Sequence, residues 1–211
     1  GERWITSIFD LFEENVRYFP ALLADTSDED PIAVLEAGGT PRLPELCLHN
    51  GTVYRWNRPV YDIHEGQAHL RVENRVLPAG PTVVDTMANA AFYYGVVRGL
   101  VESDRPLWSR MSFNAAAENL QSGARTGMES QLYWPDVGWV RPDELVLRRL
   151  LVLAEDGLQR FGVSDKARKR YLSVIEGRCI SRQTGSVWQR QAVAARERAG
   201  ESRTQALHGM L

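Results

Sequence analysis

The chain has 211 residues with 25 basic against 27 acidic side chains, a net charge of −2, so no overall field draws it toward nucleic acid or an anionic membrane. That length buries a substantial core as one domain or two small ones. No apolar run reaches the ~18 residues of a membrane helix, and Cys47 and Cys179 lack metal-ligand spacing, which reads as a cytoplasmic protein with buried free thiols.

In chain order, the apolar spacing of Ile8, Phe9, Phe12, Val16 and Phe19 predicts an amphipathic helix over residues 3–23. The acidic run Asp25-Thr-Ser-Asp-Glu-Asp-Pro31 lacks the glycine and distal glutamate of a calcium loop and reads as a solvated connection. A short helix over 31–37 ends at Gly38-Gly39, and a proline-rich link follows.

Next come two β-rich runs, 52–58 and 69–76, joined through a glycine-bearing turn and read as an antiparallel hairpin. In the second run Arg71, Glu73 and Arg75 recur at every second position, so an extended chain places them on one face, with Leu70, Val72 and Val76 on the other. Two guanidinium forks around one carboxylate suit an anionic ligand, with Glu73 able to ligate Mg²⁺. The same spacing also suits a solvated face laced by Arg–Glu pairs. Arg55, Asn57 and Arg58 in the first run are further anion-contact candidates, and the pairing register, which decides which of them join the triplet, is not set by the sequence.

Thr82 and Asp85 form a capping box for a helix to about residue 101 that is small and apolar almost all round, as expected of a core element. A helix over 112–122 and an extended aromatic segment over 131–139 follow, and then helices over 142–161, 164–177, 184–199 and 202–211. Arg168, Arg170, Arg178, Arg182 and Arg190 read as solvated helix faces. Gly38-Gly39 and Gly123-Ala-Arg-Thr-Gly127 match neither the phosphate-loop nor the dinucleotide spacing. If the chain handles a nucleotide, it does so on a sheet.

The segments His49–Pro59, His69–Thr82 and Asp85–Leu100, together with 141–151 and Ile175-Glu-Gly-Arg178, resemble the C-terminal half of bacterial glutamate–cysteine ligases of the second type. The resemblance implies an α+β fold in which an antiparallel sheet, part of a glutamine-synthetase-like funnel, is covered by helices. Residues 1–140 would form the C-terminal half of the catalytic domain and 141–211 a helical segment packed on it. It implies an ATP-dependent carboxylate–amine ligase that makes an amide through an acyl phosphate, with ATP and Mg²⁺ as cofactors and amino acids as substrates.

On this resemblance Glu73 is the metal ligand, Arg71 and Arg75 act on the reacting anion, and Arg55, Asn57 and Arg58 contact the nucleotide. Such a sheet needs a chain about twice this length, so the resemblance also implies an incomplete site, completed by the missing N-terminal half or by self-association. The other class left open is a non-catalytic anion- or nucleotide-binding module that acts with a partner chain.

Overall fold

Ser7 starts the first helix in the computed structural model, which describes residues 2–210: its hydroxyl accepts from the Phe9 amide at 3.2 Å, satisfying a donor that the first turn leaves free. This helix, α1 (Ile8–Tyr18), is shorter than the periodicity over 3–23 predicts. Asp30 caps α2 (Pro31–Glu36) by accepting from the Ile32 and Ala33 amides, and Pro31 fits the first turn because it has no amide to satisfy. The acidic connection is thus a structural one. Its Glu29 accepts from the amides of Arg42 and Leu43 at 2.8 and 3.0 Å.

The proline-rich link contains a helix the sequence reading missed, α3 (Pro44–Thr52). Because it occupies the start of the expected first strand, β1 begins later, at Asn57, and runs to His64. Strand β2 spans Gln67–Asn74. The two join through Glu65 and Gly66, both at positive φ (50° and 78°), the two-residue turn whose twist matches an antiparallel pair. Pro59 lies inside β1, where a two-stranded sheet leaves a free edge for a residue without an amide. Helices α1 and α3 both pack against β1.

Residues 4–78 form one unit, and a second is built from residue 79 onward. The boundary expected at 140 falls inside this second unit. There, α4 (Val83–Val101) starts at Thr82, whose hydroxyl accepts from the Asp85 amide and donates to the Asp85 carboxylate. The capping box is formed as read. Further along are α5 (Phe113–Thr126), a hairpin of β3 (Leu132–Trp134) and β4 (Gly138–Val140), α6 (Pro142–Leu145), a π-helical turn (Val146–Leu150) and α7 (Leu151–Arg160). Helices α8 (Asp165–Ser181), α9 (Gly185–Arg198) and α10 (Arg203–Met210) complete it.

The core of this unit is Ala154, Leu158 and Leu172, with Ala91, Phe92, Val96 and Leu151 packed around them. α4 and α7 approach so closely that a Cβ on Gly95 would lie 2.9 Å from the Ala154 Cα, and one on Gly157 would strike the Gly95 backbone. Glycine here serves proximity of two backbones. The chain is α+β, rich in helix, and among the described residues its strands form two separate two-stranded antiparallel sheets in place of one broad sheet. No helix among the described residues is long and apolar enough to cross a membrane. Cys179 is buried as expected, whereas Cys47 is exposed; both are free thiols.

Candidate functional site

The β1–β2 register settles what the sequence left open. Arg58 stands opposite Glu73, Val60 opposite Arg71 and Asp62 opposite His69, and directly paired residues share a face. Arg58, Asp62, His69, Arg71 and Glu73 therefore lie on one face. Asn57 pairs with Asn74 on the other, beside Pro59, Tyr61, Leu70 and Val72.

On the charged face, Arg58 lies 2.8 Å from Glu73 Oε2, and Arg75 donates from Nε to the same oxygen at 3.1 Å. Arg75 is one residue past the end of β2, held there by its amide bonding to the Trp56 carbonyl at 2.8 Å. Arg58 also donates to the carbonyls of Asn50 and Gly51 at 3.2 and 2.9 Å, so it caps the C-terminal end of α3, where a cation meets the negative end of the helix. Partial burial would raise the Glu73 carboxyl, but Arg58 and Arg75 more than reverse this and hold it below the usual range. Glu73 is thus ionised and fixed between two guanidiniums.

The other expected site residues are placed elsewhere. Arg71 donates to Asp62 at 3.1 Å and contacts His69 Nε2 at 2.6 Å. The Asp62 carboxyl is held low, first by the Ile63 amide and then by Arg71. Arg55 precedes β1 and donates to Glu14 Oε2 at 2.9 Å and to Asn15 Oδ1 at 3.0 Å, with its guanidinium 5.5 Å from the centre of the Phe19 ring. The structure brings Arg58, Glu73 and Arg75 together, sets Arg71 in a neighbouring pair, ties Arg55 to α1 and leaves Asn57 on the opposite face.

The donor set for a metal is thin. Among the described residues no three His, Cys, Asp or Glu side chains cluster as a cation site, and Glu73 has Oε2 taken by two arginines. It offers one ligand where Mg²⁺ asks for near-octahedral oxygen coordination. This segment does not assemble a magnesium site by itself.

Several residues that tie elements together within each unit carried no short-range signal. Asn15 is fully buried and donates to Asn50 Oδ1 at 2.8 Å, a pair 35 residues apart in sequence. Arg178, read as a solvated helix face, instead donates to Asp85 Oδ1 and Asn89 Oδ1, both at 2.6 Å, and ties α8 to the first turns of α4. An apolar groove of about 570 Å³ lies under the hairpin's other face, lined by Phe9, Phe12, Val16, Leu46, Tyr61 and Leu70, with only Glu13 and Arg17 as charged neighbours.

No family model, curated protein or solved structure matches the chain.

Proposed function

We propose that the charged face of the β1–β2 hairpin is part of the anion-binding wall of an ATP-dependent carboxylate–amine ligase of the glutamate–cysteine ligase type. The observation that carries this reading is the Arg58–Glu73–Arg75 cluster on one sheet face, at positions within the segments that resemble that family. In it a fixed carboxylate holds two guanidiniums in place before any ligand arrives, the kind of preorganisation that phosphoryl transfer to a carboxylate requires.

In this reading Arg75 orients a phosphate or the substrate carboxylate with the N–H donors it keeps beyond the one directed at Glu73, while Arg58, whose other terminal nitrogen bonds the Asn50 and Gly51 carbonyls and whose Nε is buried, contributes chiefly its charge. Glu73 acts by positioning those arginines. Mg²⁺ would supply charge neutralisation during phosphoryl transfer, with ligands from outside this segment. The hairpin would then be two strands of a larger glutamine-synthetase-like sheet. Leu70 and Val72 on β2, each 49 % exposed, leave part of the hairpin's apolar face uncovered within this unit, which supports a further layer packing against it in the larger protein.

A second reading is favoured by one specific fact: Arg55, Arg58, Arg71 and Arg75 each have a carboxylate partner within the unit. Arginines paired in this way bind an anion only weakly by themselves, which suits a non-catalytic module whose partner chain supplies the rest of the anion site. The deciding experiment is ADP release with Mg-ATP, glutamate and cysteine, by this chain and by the same chain continued through its upstream coding sequence. Turnover in the longer form supports the ligase. Nucleotide binding without turnover in the longer form, across a panel of acids and amines, favours the module.

A further inference from the structure

The π-helical turn Val146–Leu150 interrupts the long helical run between α6 and α7. Such turns are rare and concentrate at functional positions, because the extra residue re-aims side chains while loosening the helical ladder. This one sets Arg149 on the wall of a cavity of about 480 Å³ that is also lined by Arg110, Arg160, Trp134, Glu102 and Asp104. The volume is that of a small-molecule site.

The charges there are unevenly satisfied. Glu102 is held by Arg98 and by Arg160, the latter at 2.8 Å. Arg110 gives one nitrogen to Asp136 at 3.1 Å, a carboxylate that is 76 % exposed in the β3–β4 turn, where such a pair contributes little. Its Nε is buried without a partner, so the donors it offers the cavity are the terminal N–H groups that Asp136 does not take. Arg149 has no hydrogen bond or ion pair among the described residues. Four guanidiniums (Arg98, Arg110, Arg149, Arg160) stand against three carboxylates (Glu102, Asp104, Asp136), and the unsatisfied donors belong to the arginines.

We propose that this cavity binds a phosphate monoester carrying a planar ring, a ligand of nucleoside monophosphate size. Arg149 and Arg110 take the phosphate, since guanidinium forks match its oxygens and a dianion uses two of them. Trp134 lines the same space and takes the ring, and Asp104 accepts from a hydroxyl or amino group of the ligand. Every lining residue belongs to the unit built from residue 79 onward, so this site stands independently of the hairpin reading.

The test is calorimetric titration of the full chain with AMP, phenyl phosphate and inorganic phosphate. Both monoesters should bind, and inorganic phosphate should bind at least about tenfold more weakly because it forgoes the ring contact. Arg149→Ala should weaken AMP binding about tenfold or more with its melting temperature unchanged, because the residue is exposed and unpaired. Trp134→Leu should bring AMP and inorganic phosphate to similar affinity. Unchanged AMP affinity in Arg149→Ala overturns the site, because any AMP bound must then sit elsewhere. Failure of both monoesters to bind at about 10 mM, or inorganic phosphate binding as tightly as AMP, also overturns it.

Discussion

Arg58 and Glu73 face each other across the β1–β2 hairpin with 2.8 Å between guanidinium nitrogen and carboxylate oxygen, and the same Arg58 caps the end of α3. One side chain thereby locks a strand register to a helix end. Glu73 is accessible to solvent, so removing its charge should cost little stability: Glu73→Gln is expected to lower the melting temperature by about 3 °C or less. Under the proposed ligase function, the same substitution in the chain continued through its upstream coding sequence should sharply reduce turnover by leaving Arg75 free to swing. Turnover near the unsubstituted level, measured as ADP release, would remove Glu73 from the site.

The buried Asn15–Asn50 pair should be far more sensitive. Asn15 is fully enclosed, donates to Asn50 and accepts from Arg55. Asn15→Leu leaves the buried Asn50 side-chain oxygen without its donor and removes one of two side-chain acceptors of Arg55, Glu14 remaining. The expected loss is about 1–3 kcal/mol, read by urea denaturation. A loss below about 0.5 kcal/mol would mean that Asn50 and Arg55 find other partners.

Close approach of α4 and α7 makes a third prediction. Gly157→Val forces atoms into the Gly95 backbone, and Gly95→Val forces them into that of Ala154. Each should destabilise by about 1–3 kcal/mol or more, because packed helices separate only as a whole. Gly123, with open space around it, is the control: Gly123→Ala within α5 should hold or raise the melting temperature.

Acid should weaken the α4–α8 tie. The Asp85 carboxyl lies below its ordinary value, first because the Thr82 hydroxyl donates to it and then because Arg178 does. A pKa lowered by folding contributes stability that is complete above the unfolded value of about 3.9 and is lost as pH falls through the folded one. Urea midpoints measured from about pH 5 to about pH 2 should fall less steeply in Asp85→Asn than in the unsubstituted chain. Parallel slopes would show that Asp85 titrates alike in both states.

The hairpin turn offers a backbone test. Gly66 sits at φ 78°, where an L side chain costs about 1–2 kcal/mol. Gly66→Val should destabilise the hairpin and loosen its register, seen as faster amide exchange at Val60 and Arg71, which face each other across the pair. Unaltered exchange would mean that α1 and α3 hold β1 without help from the turn.

Helices were legible where local chemistry sets them. Thr82 with Asp85, Ser164 and Thr184 cap the helices expected to start at them, and Ser112 caps the helix expected over 112–122, since a cap involves only atoms two or three residues apart. The α3 helix was hidden by Pro41, Pro44 and Gly51, which read as a link although Pro44 starts the helix. Missing it shifted the first strand by several residues and made Arg55 a strand residue. In the structure Arg55 lies before β1 and is tied to Glu14.

By itself the sequence determined the starts of α2, α4, α5, α8 and α9, the apolar character of α4 and the alternation that sets Arg71 and Glu73 on one face, because each depends on neighbours within a turn or two of chain. Tertiary structure alone decided that Arg58 meets Glu73, that Arg178 meets Asp85 across 93 residues and that Asn15 meets Asn50 across 35. Strand register and helix docking are set by which faces exclude water together. That choice belongs to the folded chain as a whole, and no local pattern carries it.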